Sequence, residues 1–195
     1  MKVCAFIMRM VKTSNNVGCA YWELGKRQKG LEYLKKALEI NCRVLGKDHP
    51  VTALSFDNIG YSYEELGDRQ KGLEYKEKAL EIRRRVLGDE HPDTAKSYNN
   101  VGMSYEELGD RQKGLKYKEK ALEIRRRVLG DEHQSTAKSY YDVGWTYAEM
   151  GDYQTALPFT AEAYRIRSKV LGENDPKTVK AKKRVEEYKK KLNKG

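Results

Sequence analysis

The sequence predicts an all-α protein of four consecutive helix-pair repeats stacked as a solenoid, with one further helix capping the C-terminal end. Three observations carry this. The chain repeats itself with a period of 42 residues, and internal periods of this size mark repeat architectures. Apolar residues recur at helical spacing inside each period. The composition agrees: 35% of residues are charged and 38% apolar, yet there are 14 tyrosines and only four prolines. A disordered charged chain would be poor in aromatics, so the charges are read as the solvated faces of long helices.

Shifting the chain along itself sets the boundaries. Residues 95–136 match residues 53–94 with eight differences, and residues 11–52 and 137–178 fall into the same register with more divergence. Gly18, Gly60, Gly102 and Gly144 coincide, as do Tyr21, Tyr63, Tyr105 and Tyr147, and Ala37, Ala79, Ala121 and Ala163. Residues 1–10 are left as an N-terminal extension and residues 179–195 as the capping helix.

Each period reads as two helices. In the third, Asp93 or Thr94 is positioned to cap the first helix by accepting from an orphan backbone N–H. Tyr98, Val101, Tyr105 and Leu108 form its apolar set, and Gly109 stops it. Asp110 then caps a second helix carrying Leu115, Ala121, Leu122, Val128 and Leu129, which Gly130 ends. At about 1.5 Å per residue that helix is about 28 Å long. Arg125, Arg126 and Arg127 fall in its last turn, where the helix dipole favours cations. Gly102 and Ala121 recur mid-helix and predict close approach of the paired helices.

These residues carry a family resemblance. Val101-Gly102, Tyr105 and Gly109, with Ala121 twelve residues further on, resemble the tetratricopeptide pattern. The period and the linkers Leu45–Pro50 and Leu87–Pro92 are similar to kinesin light chain and nephrocystin-type repeats. The resemblance covers residues 11–178 and implies a right-handed α-α superhelix, the tetratricopeptide solenoid. It departs at one place. Where the family often has an aromatic residue three positions before the second-helix alanine, this chain has Leu34, Lys76, Lys118 and Thr160. Tyr33, Tyr75, Tyr117 and Phe159, one position earlier, are expected to take over that packing. Nothing resembles the heptad region of kinesin light chains.

The ends differ in character. Residues 179–195 hold eight Lys/Arg and two Glu, a net +6 of the chain's +10, yet Ala181, Val185, Tyr188 and Leu192 make one helical stripe. That pattern predicts a polar cap over the last repeat rather than a basic arm. At the other end Val3, Phe6, Met10, Ser14 and Val17 can extend the first helix. Cys4, Cys19 and Cys42 are odd in number and make no disulfide framework. The apolar run Val3 to Met8 is too short for a signal peptide or membrane span, so a cytoplasmic setting without membrane insertion is expected.

No catalytic constellation stands out, and an enzyme, a cofactor or a metal is not expected. His49, His91 and His133 occupy one linker position in successive repeats, too far apart for ligands that must lie about 2 Å from one ion. They are read as structural. Glu64-Glu65 and Glu106-Glu107 are adjacent on helices and do not face each other. The runs Arg83–Arg85 and Arg125–Arg127 are read as a solvated outer face. A basic pI alone is not a nucleic-acid signature.

The resemblance implies that the first helix of each pair lines a concave wall. The candidate binding residues there are Asn15, Asn16, Asp57, Asn58, Tyr61, Lys96, Asn99, Asn100, Lys138, Tyr141, Asp142 and Trp145. Trp22, Glu64, Met103, Glu106 and Glu149 share the face. Asparagine is a poor mid-helix residue, and its amide pairs both ways with a peptide unit; in the resembled family such asparagines bond the backbone of an extended peptide. Lys96 and Lys138 suit acidic side chains, and Tyr61 and Trp145 an apolar anchor. The expected function is therefore a protein-binding adaptor, kinesin-light-chain-like, holding an extended and acidic partner segment. Two alternatives stay open: a spacer or self-associating scaffold, homo-oligomeric through its ends, and an acidic-surface or nucleic-acid binder acting through the basic tail.

Overall fold

The computed structural model describes residues 16–18 and 20–193, which are helices and turns without a strand. They group into two compact units, one ending at Asp89 and the other starting at Glu90. The extension expected at residues 1–10, together with Lys12, Asn15 and Cys19, lies outside the described residues.

In the first unit a helical segment at residues 16–18 and 20–23 precedes α1 (Arg27–Val44), α2 (Pro50–Glu65) and α3 (Arg69–Leu87). The second unit holds α4 (Pro92–Glu107), α5 (Arg111–Leu129), α6 (Gln134–Glu149), α7 (Tyr153–Leu171) and α8 (Pro176–Leu192). The tightest neighbours are the sequential pairs α2 with α3, α4 with α5 and α6 with α7, and α8 packs on α7.

The first helices begin earlier than Asp93 or Thr94 would place them, because the linker histidines are the caps. The Nδ1 atoms of His49, His91 and His133 accept from the backbone N–H of Val51, Asp93 and Ser135 at 3.1, 3.1 and 3.0 Å. Pro50 and Pro92 follow at the first helical position, where a missing N–H costs nothing. In the last linker Asp175 does the same work, accepting from Lys177 N–H at 2.8 Å. The histidines are structural for this reason. Asp110 caps α5 as expected, accepting from Lys113 N–H at 2.9 Å, and Gly109 and Gly130 turn the chain at φ values of +92° and +86°.

Close approach inside each pair rests on glycine. A Cβ on Gly102 would lie 2.8 Å from the Gly114 carbonyl oxygen, and one on Gly114 would lie 2.7 Å from that of Gly102. Gly60 and Gly72 repeat the contact at 2.8 and 2.9 Å. Beside it the aromatics pack on each other: ring centroids are 5.4 Å apart for the tilted pair Tyr63–Tyr75 and the stacked pair Tyr105–Tyr117, and 5.7 Å for the stacked pair Tyr147–Phe159.

The helix α8 buries Ala181, Val185 and Tyr188. Leu192 departs from the expected stripe and is 41% exposed. At the register of Tyr140, Gly144 and Tyr147 in α6, α8 carries Lys182, Glu186 and Lys189. The surface that receives a second helix in earlier repeats is therefore charged here.

Two expectations about charge need correction. The arginine runs are not solvated throughout: Arg84, Arg85, Arg126 and Arg127 are exposed, but Arg83 and Arg125 are buried. Arg83 pairs with Asp57 at 2.5 Å, and Arg125 donates to Ser139 Oγ at 2.6 Å. A helix advances about 100° per residue, so three adjacent arginines cannot share one face. Lys76 and Lys118, at the family's aromatic position, are also buried and form ion pairs with Glu64 and Glu106.

Candidate binding face

The inner register of α6 is where the expected residues converge. Helical spacing puts Lys138, Tyr141, Asp142, Trp145 and Glu149 on one side of α6. They line a cleft of about 400 Å3, together with Met103 and Glu106 from α4 and Lys180 from α8. The cleft mixes three apolar groups, Met103, Tyr141 and Trp145, with charges of both signs. Trp145 is half-buried and carries the Arg184 guanidinium 4.2 Å above its ring centroid. One face of the indole is therefore covered by the guanidinium while the side chain still lines the cleft. Such a pocket can seat an apolar or aromatic side chain and orient polar neighbours around it.

Its charges are fixed by a network. Lys118 Nζ, buried, donates to Glu106 and to Thr146 Oγ1, the latter at 3.1 Å; Thr146 Oγ1 in turn donates to the Asp142 carbonyl at 2.9 Å. Lys138 Nζ sits 2.5 Å from Asp142 Oδ2. A second cleft of about 400 Å3 lies on the other flank of Tyr141 and Asp142, lined by Ser135, Arg167, Lys177 and Lys180. Burial pulls the guanidinium of Arg167 below its ordinary value, with Tyr141, Asp142 and Asp175 acting against the shift. Arg125 is lowered in the same way, with Asp142 opposing.

The remaining candidates are distributed differently. In α4, Lys96 is exposed and Asn100 half-buried, while Asn99 is 3% exposed with its Nδ2 3.5 Å from Met103 Sδ. In the first unit Asp57 is buried against Arg83, Asn58 is half-buried, Asn16 is exposed, and Tyr61 is 54% exposed beside Trp22 at 6.4 Å. Sequence reasoning passed over Arg167, Lys180 and Arg184. The register gives the signal: Lys180 falls 42 residues after Lys138 and 84 after Lys96, which extends the lysine row into the capping helix. No three His, Cys, Asp or Glu side chains among the described residues are grouped to hold a metal. No described helix is long and apolar enough to cross a membrane.

Helix pairs of one length that approach closely at Gly60, Gly102 and Gly144 define a helical-repeat protein. The tetratricopeptide repeat family matches at residues 9–71, 54–113 and 98–169, and the chain belongs to that family. Among solved structures, BtubC (BKLC) from P. vanneervenii is similar with a TM-score of 0.83 at 20% identity, covering 97% of this chain and 83% of that one. The nearly identical TPR-like repeats ascribed to a kinesin light chain of Podosopora anserina give 0.80 at 21% identity, covering 94% and 87%. The apo form of RapI gives 0.76 at 21% identity, covering 90% of this chain and 47% of that one. At these identities the likeness shows the fold. Curated protein sequences give no significant match.

Proposed function

We propose that the chain is a non-catalytic adaptor that binds an extended segment of a partner protein along the first helices of its repeats. The observation that carries this reading is the α6 cleft. Four residues singled out by the family resemblance and the repeat register, Lys138, Tyr141, Asp142 and Trp145, line one space with Met103 and Lys180. A fold without further chemistry needs no half-exposed tryptophan there. The similar solved structures include repeats ascribed to a kinesin light chain, which favours an adaptor over a spacer. The setting that suits it is the cytoplasm, and among the described residues Cys42 is a free thiol, which is compatible with a reducing compartment.

The test is a peptide array probed with the parent chain and with Trp145→Ala/Lys138→Ala, both verified as folded by circular dichroism. A buried aromatic anchor is worth about 2 kcal/mol or more on truncation, so the variant should lose at least about tenfold in affinity. Peptides captured equally by both proteins would move the binding surface elsewhere.

A further inference from the structure

Three linkers use a histidine to cap the helix that follows, and the three rings differ in what surrounds them. The Nδ1 atoms of His49, His91 and His133 accept from the backbone N–H two residues on, at 3.1, 3.1 and 3.0 Å. An imidazole nitrogen accepts only while it keeps its lone pair, and a proton removes it. The protonated ring turns a donor toward a donor and sets a cation at the positive end of a helix. The last linker carries Asp175 in the same place. Carboxylates in model peptides protonate near about pH 4 and imidazoles near about pH 6.5, so the two kinds of cap respond differently to mild acid.

The other capped helices have supports that α6 lacks. Pro50 and Pro92 open α2 and α4 and preset the helical φ there. Asp93 Oδ2 lies 3.8 Å from His91 Nδ1, so a protonated His91 exchanges its backbone donor for a carboxylate. At α6 the corresponding residues are Gln134 and Ser135. The carboxylates around the start of α6 are engaged: Asp131 accepts from Arg126 of α5 at 2.7 Å, and Glu132 pairs with Arg165 and Lys169 of α7 at 2.8 and 3.1 Å. Asp142, further along α6, holds Lys138. The remaining charged groups here are cations. Arg125 of α5 donates to the Ser135 carbonyl at 3.4 Å, and Arg167 of α7 and Lys177 and Lys180 of α8 share a cleft with Gln134 and Ser135. His133 is exposed, so protons reach it from solvent. Thr136 Oγ1 donates to the Gly130 carbonyl at 2.8 Å, a bond that does not titrate and keeps the linker folded.

We propose that His133 makes the start of α6 acid-sensitive: a proton on its Nδ1 releases the Ser135 N–H and loosens the first turn of the helix. The proton comes from solvent and returns to it, so the release is reversible. Ser135 lies in that turn and Lys138 follows it, and both line clefts beside α6. Acid control of partner binding at α6 rests on the adaptor reading, whereas release of the helix start does not.

The experiment is amide hydrogen exchange read by NMR on the full chain at about pH 7.5 and about pH 5, with each rate divided by the intrinsic rate at that pH. Protection of the Ser135 amide should fall about fivefold in acid, the typical worth of an N-cap. The Lys177 amide, capped by Asp175, should keep its protection, and the Asp93 amide should lose less than Ser135. His133→Asn keeps a good N-cap acceptor that takes up no proton, so Ser135 protection in that variant should stay constant. Urea unfolding gives a second readout: between the two pH values the unfolding constant of the parent should rise about fivefold more than that of His133→Asn. Ser135 protection that is unchanged by acid in the parent, or that falls equally in His133→Asn, overturns the proposal. A peptide captured on the array should lose more affinity in acid with the parent than with His133→Asn. Equal losses, with Ser135 protection falling in the parent alone, would sink acid control of the cleft and leave the helix-start release standing. Capture of no peptide at either pH would remove the adaptor reading, and the amide result would still decide this inference.

Discussion

Removing Glu106 isolates the energetic role of the buried charges. Lys118 has a side chain 4% exposed and Glu106 one 19% exposed, joined as an ion pair with Thr146 alongside. Glu106→Ala leaves the buried Lys118 ammonium with one neutral partner, Thr146, at the wall of the cleft. Losing one member of a fully buried pair costs about 3–5 kcal/mol; the partial exposure of Glu106 lowers the expectation to about 2–3 kcal/mol. The chain supplies its own repair, because the equivalent residues in the fourth repeat are Ala148 and Thr160, and Thr160 is fully buried without a charge. Glu106→Ala/Lys118→Thr should therefore recover most of the loss, with Thr146 still satisfied by its bond to the Asp142 carbonyl. Urea unfolding followed by helical circular dichroism reads both variants. With a slope of about 1–3 kcal/mol per M, the single variant should unfold about 0.7–3 M earlier than the parent. A double variant no more stable than the single would refute the reasoning, because the cost would then lie in lost packing and not in a stranded charge.

Further expectations follow from the helix starts, the glycine contact and the tyrosines. His133→Ala removes an N-cap acceptor and should cost about 1 kcal/mol, whereas His133→Asp, copying Asp175, should cost little; thermal melts compare them. Gly102→Ala gains about 1 kcal/mol of helix propensity. It also drives a Cβ to 2.8 Å from the Gly114 backbone oxygen, and an overpacking cost of about 1–3 kcal/mol should leave it less stable by urea midpoint. Burial pushes the Tyr147 and Tyr188 hydroxyls up to about 12, with the bond to Glu119 adding to Tyr147. Their folded values lie above the unfolded value near 10. The stability they confer is thus complete below about pH 10 and lost as pH rises through about 12. Ultraviolet titration of tyrosinate should show a late-ionising fraction that shrinks in Tyr147→Phe and Tyr188→Phe.

Much of this fold was legible because the period exposes it four times. The helix pairs, the stops at Gly109 and Gly130, the Asp110 cap and the tyrosine stacks all followed from spacing and turn chemistry. Residues that break the rule of apolar inside and charged outside were harder. Lys76, Lys118, Arg83, Arg125 and Arg167 look like solvent-facing charges one at a time. Only the mixture of Leu34 and Thr160 with two lysines in one column, or of Asn41 with three arginines in another, signals an interior position. Histidine as an N-cap was missed because it is not among the preferred capping residues, though Asp175 in the same column pointed to it. The binding candidates came from register, and register cannot tell a residue that faces a cleft, such as Trp145, from one pinned inside, such as Asp57.

The central claim is that a partner segment lies along α6 between α4 and α8. Amide and side-chain chemical-shift mapping with a peptide captured on the array tests it most directly. The account predicts perturbations centred on Met103, Lys138, Tyr141, Trp145 and Lys180. Perturbations confined to Val128, Val170 or other exposed positions of α5 and α7, with Trp145 unmoved, would contradict it.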